Sequence, residues 1–292
     1  MASPLKSLYL DRSSYLQAFK LFLECSTGYR CMKDFMDTRL PDVLASIVNG
    51  KSHLNVIGVG SGSGELDLKM LSVLHQNYPQ MTVHNEVVEP DPQQLQDYRS
   101  LVSRTPGLGY ITYKWNKMTA QEFEEQWKEN KTIKKVDFIH MIQMLYCVED
   151  AGATISFYQS LLDRNGKLLI NQVTGDSGWG KLGKTYGKEF FNAEVSCVTS
   201  EDVKRLLASK GLSYRSYELP SETDITQCFI KGNERGEQLL DFVTQVQHFR
   251  KSASPELQAE IEEFLRSECS KETDDKVFFN YNSEVIVVDR LN

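Results

Sequence analysis

Gly58, Gly60, Gly62 and Gly64 occupy every second position of the stretch NVIGVGSGSGELDL, between an apolar run and the acids Glu65 and Asp67. Glycine lets backbone amides crowd against a ligand and tolerates φ values that other residues avoid, so this turn reads as a place where a ligand meets bare main chain. A second acid, Glu89, closes the next apolar run in NEVVEPDPQQ. A carboxylate at the tip of the second strand of an open sheet accepts the hydroxyls of a ribose. The glycines alone are also compatible with an ordinary strand-to-helix turn. The dinucleotide spacing G-x-G-x-x-G fits poorly, because Ser63 or Glu65 stands where the third glycine belongs. A P-loop is excluded, since no Gly-Lys-Ser/Thr follows.

These residues need a frame, and the hydrophobic pattern supplies one. LNVIGV, MTVHNEVVEP, YITYKW, KVDFIHMIQML and GKLLINQVTG read as strands. ELDLKMLSVLHQNY, PQQLQDYRSLV, AQEFEEQWKE and ATISFYQSLLDR read as the helices between them. Such alternation predicts an α/β fold: a mostly parallel sheet with helices on both faces and ligands at the carboxyl ends of its strands. Ahead of it, SSYLQAFKLFLECS reads as a helix with Ser13 or Ser14 as cap, and CMKDFMDTRLPDVLASIV as helical with a break near Pro41. After Gly175 the rhythm changes. TSEDVKRLLASKG, RGEQLLDFVTQVQHF and SPELQAEIEEFLRSEC read as helices, LSYRSYELP and QCFIKG as strands, and KVFFNYNSEVIVVD as one long final strand; this last part is expected to complete the sheet with an antiparallel edge. The expected organisation is one domain over 1–292, with a helical cap at 1–50, a ligand-binding core at 51–175, and substrate-cap insertions and sheet completion at 176–292.

Composition narrows the partners. The net charge is −7 with no block of lysines or arginines, which argues against a nucleic acid, whose binding needs phosphate neutralisation. No run reaches the roughly 18 apolar residues of a membrane span, and the opening MASPLKSLYL predicts no signal peptide. Six scattered cysteines without CxxC spacing suit a reducing, cytoplasmic setting, and five histidines without paired ligand spacing predict no metal. With no heptad seam or exposed apolar repeat, a monomer is expected.

The glycine loop resembles the S-adenosylmethionine loop of class I methyltransferases. That cofactor has no pyrophosphate, so Glu65 and Asp67 beside the helix start are tolerable. The segments SSYLQAF, STGYRCMKDFMD, EVVEP, VDFIHMIQMLYCVED, SGWGKLGKTYG and DITQCFIKGNERGEQLLDF resemble histamine N-methyltransferases over nearly the whole chain. The resemblance implies a Rossmann-like class I sheet and cofactor contacts at Gly58, Gly60, Glu89, Gln94, Ala120 and Ile142, with Ala120 standing where that family has serine. On the substrate side it implies Tyr15, Phe19, Phe22, Tyr146 and Trp179 as aromatic walls, with Gln143 and Tyr146 positioning an imidazole ring. The pattern departs at Gly28, where the family has a glutamate for the substrate ammonium, and at Cys147, Gly183, Ser196 and Tyr281. The smaller residues Gly28, Gly183, Ser196 and Cys147, together with the cation Arg30, predict a roomier pocket for a longer imidazole bearing a carboxylate. Carnosine, methylated to anserine, is the expected substrate and histamine the alternative; a relative that binds without turnover is a further one.

Overall fold

The computed structural model describes residues 5–190 and 196–290. Its helices are α1 (Arg12–Cys25), α2 (Gly28–Thr38), α3 (Leu40–Val48), α4 (Glu65–Asn77), α5 (Pro92–Arg104), α6 (Ala120–Glu129), α7 (Ala151–Ser160), α8 (Gly178–Phe190), α9 (Ser200–Ser209), α10 (Glu234–Thr244), α11 (Phe249–Ser252) and α12 (Pro255–Ser267). Its strands are β1 (His53–Val59), β2 (Thr82–Val88), β3 (Ile111–Asn116), β4 (Val136–Ile142), β5 (Leu162–Val173), β6 (Tyr214–Leu219), β7 (Glu222–Asp224), β8 (Ser270–Thr273), β9 (Lys276–Asn280) and β10 (Ser283–Asp289).

Contacts divide the chain into two compact units. One, built from Met32–Gln172, Asp202–Tyr217 and Val285–Asn292, is organised on a seven-stranded sheet of order β3-β2-β1-β4-β5-β10-β6. The pairs β1–β2, β2–β3, β1–β4 and β4–β5 are parallel, and the sheet ends in the expected antiparallel edge. Chain order reverses between β1 and β4, the switch point at which open sheets bind ligands beyond the strand carboxyl ends. The central strands β1 and β4 are largely buried because both their faces are covered; α3 packs with α4, and α6 with α7. Caps fix where the helices start. Asp91 accepts the N–H groups of Gln93 and Gln94 at 2.9 Å, and Thr119 forms a reciprocal capping box with Glu122.

The other unit comprises Met1–Cys31, Val173–Glu201 and Glu218–Glu284 and holds a small sheet of order β7-β9-β8. Tyr15, Ala18 and Phe22 of α1 enter its core with Leu182, Leu239, Phe242, Ile261 and Phe279. The start of α1 is capped by Asp11, whose carboxylate accepts both the N–H and the hydroxyl of Ser14, so the expected serine cap is corrected.

Two strand expectations are also corrected. QCFIKG contains a 3-10 turn at Thr226–Phe229, because Asp224 Oδ1 accepts the N–H and hydroxyl of Thr226 and bends the chain out of β7. KVFFNYNSEVIVVD is two strands in different sheets, β9 and β10. They are parted at Tyr281–Asn282, where Asn280 Oδ1 accepts the Asn282 N–H and Asn282 Oδ1 accepts the Ser221 N–H.

Candidate functional site

In the sheet unit, the glycine loop joins β1 to α4, with Gly60, Gly62 and Gly64 at φ +66°, +57° and +85°. These left-handed values explain three of the four glycines. Gly58 has another reason: a Cβ there would come within 2.6 Å of Asp67 Oδ2 and 2.7 Å of His140 Cε1. At Gly60 a Cβ would come within 2.7 Å of Met144 Cβ, and at Gly64 it would overlap the Tyr98 ring. The loop is therefore wedged between the segment after β4 and the first turns of α5.

Glu89 lies just past β2 and is 5% exposed. Its Oε2 accepts the Gly62 N–H and its Oε1 the Asp91 N–H, each at 2.9 Å. The same carboxylate thus ties the glycine loop to the α5 cap at the carboxyl end of β2. Gln94, in the first turn of α5, comes within 3.9 Å of a Cβ placed on Gly62. Ala120 opens α6, buried, with its carbonyl accepting the Tyr158 hydroxyl at 3.2 Å. Ile142 ends β4, and Gln143 follows it in the left-handed region at φ +49°. For a residue with a Cβ that conformation is costly and persists only where surroundings impose it. Tyr146 is half-buried in the short 3-10 turn Leu145–Cys147.

Asp67, which the sequence marked only as an acid beside the helix start, is buried beneath the loop. Asp67 Oδ1 is 3.7 Å from His140 Nδ1, and both side chains are sealed from solvent. Burial pushes the Asp67 carboxyl up to about 7 and the His140 imidazole down to about 3.

The second unit gathers the other candidates into an aromatic cluster. Phe22 stacks obliquely on Trp179 and Phe242, each with centroids 5.0 Å apart, and meets Tyr281 edge-on at 5.1 Å. Tyr15 and Phe19 pack 6.2 Å apart, and both lie 5.7 Å from Phe242. Tyr15 and Phe22 are buried core, whereas Phe19, Trp179 and Tyr281 are half-buried. Trp179 donates Nε1–H to the Val243 carbonyl at 3.0 Å, which fixes the indole plane. The space at Gly28 is not open, contrary to a uniformly roomier pocket: a Cβ there would fall 2.5 Å from Tyr281 Cε1. Burial pushes the Tyr281 phenol up to about 12. Arg30 is exposed, and among the described residues no carboxylate pairs with it. Ser196 is half-buried, Gly183 lies within α8 and Cys147 is exposed. Phe242, at the centre of the rings, was missed; in LLDFV it carries only the signal of a core helix.

Comparison with known proteins agrees with this architecture. A methyltransferase domain matches residues 32–217. Histamine N-methyltransferase of Danio rerio is 52% identical over 99% of this chain and 100% of its own length. Carnosine N-methyltransferase 2 of Gallus gallus is 41% identical over 96% of this chain and 88% of its own length. Among solved structures, loganic acid methyltransferase with SAH superimposes at a TM-score of 0.52 and 8% identity, covering 91% of this chain and 95% of that one, a likeness of fold alone. With a relative so similar along its entire length and a domain match across most of the sheet unit, the chain belongs to the histamine N-methyltransferase family and is an S-adenosylmethionine-dependent methyltransferase.

Proposed function

We propose that the chain methylates a ring nitrogen of a small imidazole compound, and that this compound is histamine. Full-length likeness to histamine N-methyltransferases supports the choice of substrate over carnosine. The observation that carries the chemistry is Gln143, an amide held in a strained backbone conformation at the carboxyl end of a central strand.

The cofactor fits the residues present. Glu89 is pre-oriented by two N–H donors as an acceptor for ribose hydroxyls, and a side chain at Gly60 would strike Met144. Gly58, Gly60, Glu89, Gln94, Ala120 and Ile142 would hold it. When bound, S-adenosylmethionine supplies a methyl group on a cationic sulfur, whose departure to nitrogen leaves the electron pair on a neutral thioether. The protein needs no strong base, because a neutral imidazole already presents one nitrogen with a free lone pair. Gln143 would accept the N–H of the other nitrogen and so orient the ring. That proton is released to water once the ring has become cationic, since an amide cannot take it. Rate enhancement would come mainly from positioning. The ring face of Tyr146 suits the positive charge that develops. We take the chain to act as a cytoplasmic monomer.

Carnosine is the second reading. It is favoured by the absence of an acid at Gly28 and by the exposed Arg30, which pairs with no carboxylate among the described residues and whose fork suits one. Competition of the two substrates at equal low concentration, read by mass spectrometry, decides between them. A higher kcat/KM for histamine supports the main reading, and a higher value for carnosine replaces it. Methylation of neither overturns both.

A further inference from the structure

Gln143 is gripped twice by one residue of the neighbouring strand. Its backbone N–H donates to the Asn171 carbonyl at 3.0 Å, and its side-chain Nε2–H donates to Asn171 Oδ1 at 3.1 Å. Asn171 is 4% exposed on β5, in register with Ile142 of β4. Its own position is therefore set by the sheet. The main-chain bond holds Gln143 at φ +49°, and the side-chain bond fixes which end of the amide is committed to the protein. Among the described residues no donor meets Gln143 Oε1.

From this geometry we infer that Asn171 is a positioning residue that determines which imidazole nitrogen is methylated. The inference rests on the imidazole reading above. A neutral imidazole carries one N–H and one bare lone pair, and a 4-substituted ring exists as two tautomers. With one Nε2–H bonded to Asn171, the amide of Gln143 is turned so that Oε1 is its free acceptor, while the second Nε2–H stays beside it on the same group. An acceptor takes the ring N–H and leaves the lone pair of the opposite nitrogen to form the N–C bond. Were the amide reversed, its NH₂ would donate to the lone pair of the near nitrogen and favour the tautomer whose far nitrogen carries the proton, leaving no lone pair there to form the N–C bond. Asn171 thus selects both the tautomer and the reacting atom, without touching the ring.

The test uses the full chain, methyl-labelled S-adenosylmethionine and histamine, with the two ring-methyl isomers of the product resolved by NMR. Wild type is expected to give one isomer. Asn171→Asp keeps an acceptor at the same place and should retain that isomer. Asn171→Leu and Asn171→Ala remove it, and should lower kcat/KM by roughly tenfold, the scale of one hydrogen bond, and yield both isomers. The Gln143 side-chain amide protons, assigned through their loss in Gln143→Glu, should exchange faster in the Leu and Ala variants whatever their activity. A single unchanged isomer from an active Asn171→Leu or Asn171→Ala would overturn the inference while leaving the imidazole reading intact. So would mixed isomers from Asn171→Asp. Failure of wild type to methylate any imidazole would overturn the inference together with the reading beneath it.

Discussion

Replacing Gly28 by alanine should destabilise the protein, against the usual benefit of alanine in a helix. Gly28 is the first residue of α2, and its added Cβ would lie 2.5 Å from Tyr281 Cε1 and 2.8 Å from Cδ1. The ring cannot swing away easily. Phe22 and Trp179 meet it edge-on at 5.1 and 5.4 Å, while its backbone is pinned by an N–H bond to the Ser221 carbonyl at 2.9 Å and a bond from the Ser221 hydroxyl at 2.5 Å. Overpacking of this kind costs about 1–3 kcal/mol, offset by at most about 0.5–1 kcal/mol for losing a glycine. The net loss of about 1–2 kcal/mol corresponds to a fall in Tm of a few degrees. In a Tyr281→Ala background the collision disappears, and Gly28→Ala should become neutral or stabilising, a coupling of about 1–3 kcal/mol across the cycle. The assay is thermal and denaturant unfolding of all four proteins. A rise in Tm for Gly28→Ala with Tyr281 present would refute the reasoning. The same geometry implies that an acid at position 28 requires the ring of Tyr281 to leave.

Three further outcomes are expected. Glu89→Gln should weaken S-adenosylmethionine binding by about 1.5–3 kcal/mol, the scale of bonds to a charged group; unchanged calorimetric affinity would remove Glu89 from the site. Asp67→Asn should stabilise the protein at pH 8, by up to about 4 kcal/mol, and hardly at all at pH 4. The folded chain keeps the Asp67 proton up to about 7 while the unfolded chain releases it near 3.8, so wild-type stability is lost as pH rises through that window. Equal stabilities across the range would show that Asp67 is charged in the fold. Gly64→Ala combines φ +85° with overlap on the Tyr98 ring and should cost about 2–5 kcal/mol; an unshifted denaturant midpoint would show that Tyr98 yields.

The sheet and its loop were readable because each signal was local. Glycines at alternate positions after a Val-Ile run, then Glu89 after the next, mark the ends of two parallel strands without reference to anything distant. What escaped depended on partners far along the chain. Gly178, Gly180, Gly183 and Gly187 made α8 look unlike a helix. Yet Gly178 abuts the Phe279 ring, and a Cβ on Gly180 would lie 2.6 Å from the carbonyls of Thr174 and Gly175. The unbroken apolar character of KVFFNYNSEVIVVD hid the change of sheet, which is made by side-chain amides of Asn280 and Asn282. In the candidate site, Gln143 was singled out from its motif, whereas Asn171 reads in LLINQV as an ordinary strand residue until β4 and β5 are paired. Likewise the glycine at 28 reads as vacant space until Tyr281, more than two hundred positions later, is seen to fill it.

The central claim is methyl transfer from S-adenosylmethionine to an imidazole nitrogen, and isotope tracing tests it most directly. Purified protein is incubated with ¹³C-methyl S-adenosylmethionine and histamine, and the labelled carbon is located by NMR. The account predicts the label on a ring nitrogen, with loss of transfer in Glu89→Gln at low cofactor concentration. Label on the side-chain amine, or label that never leaves the cofactor while the protein binds it, would contradict the account.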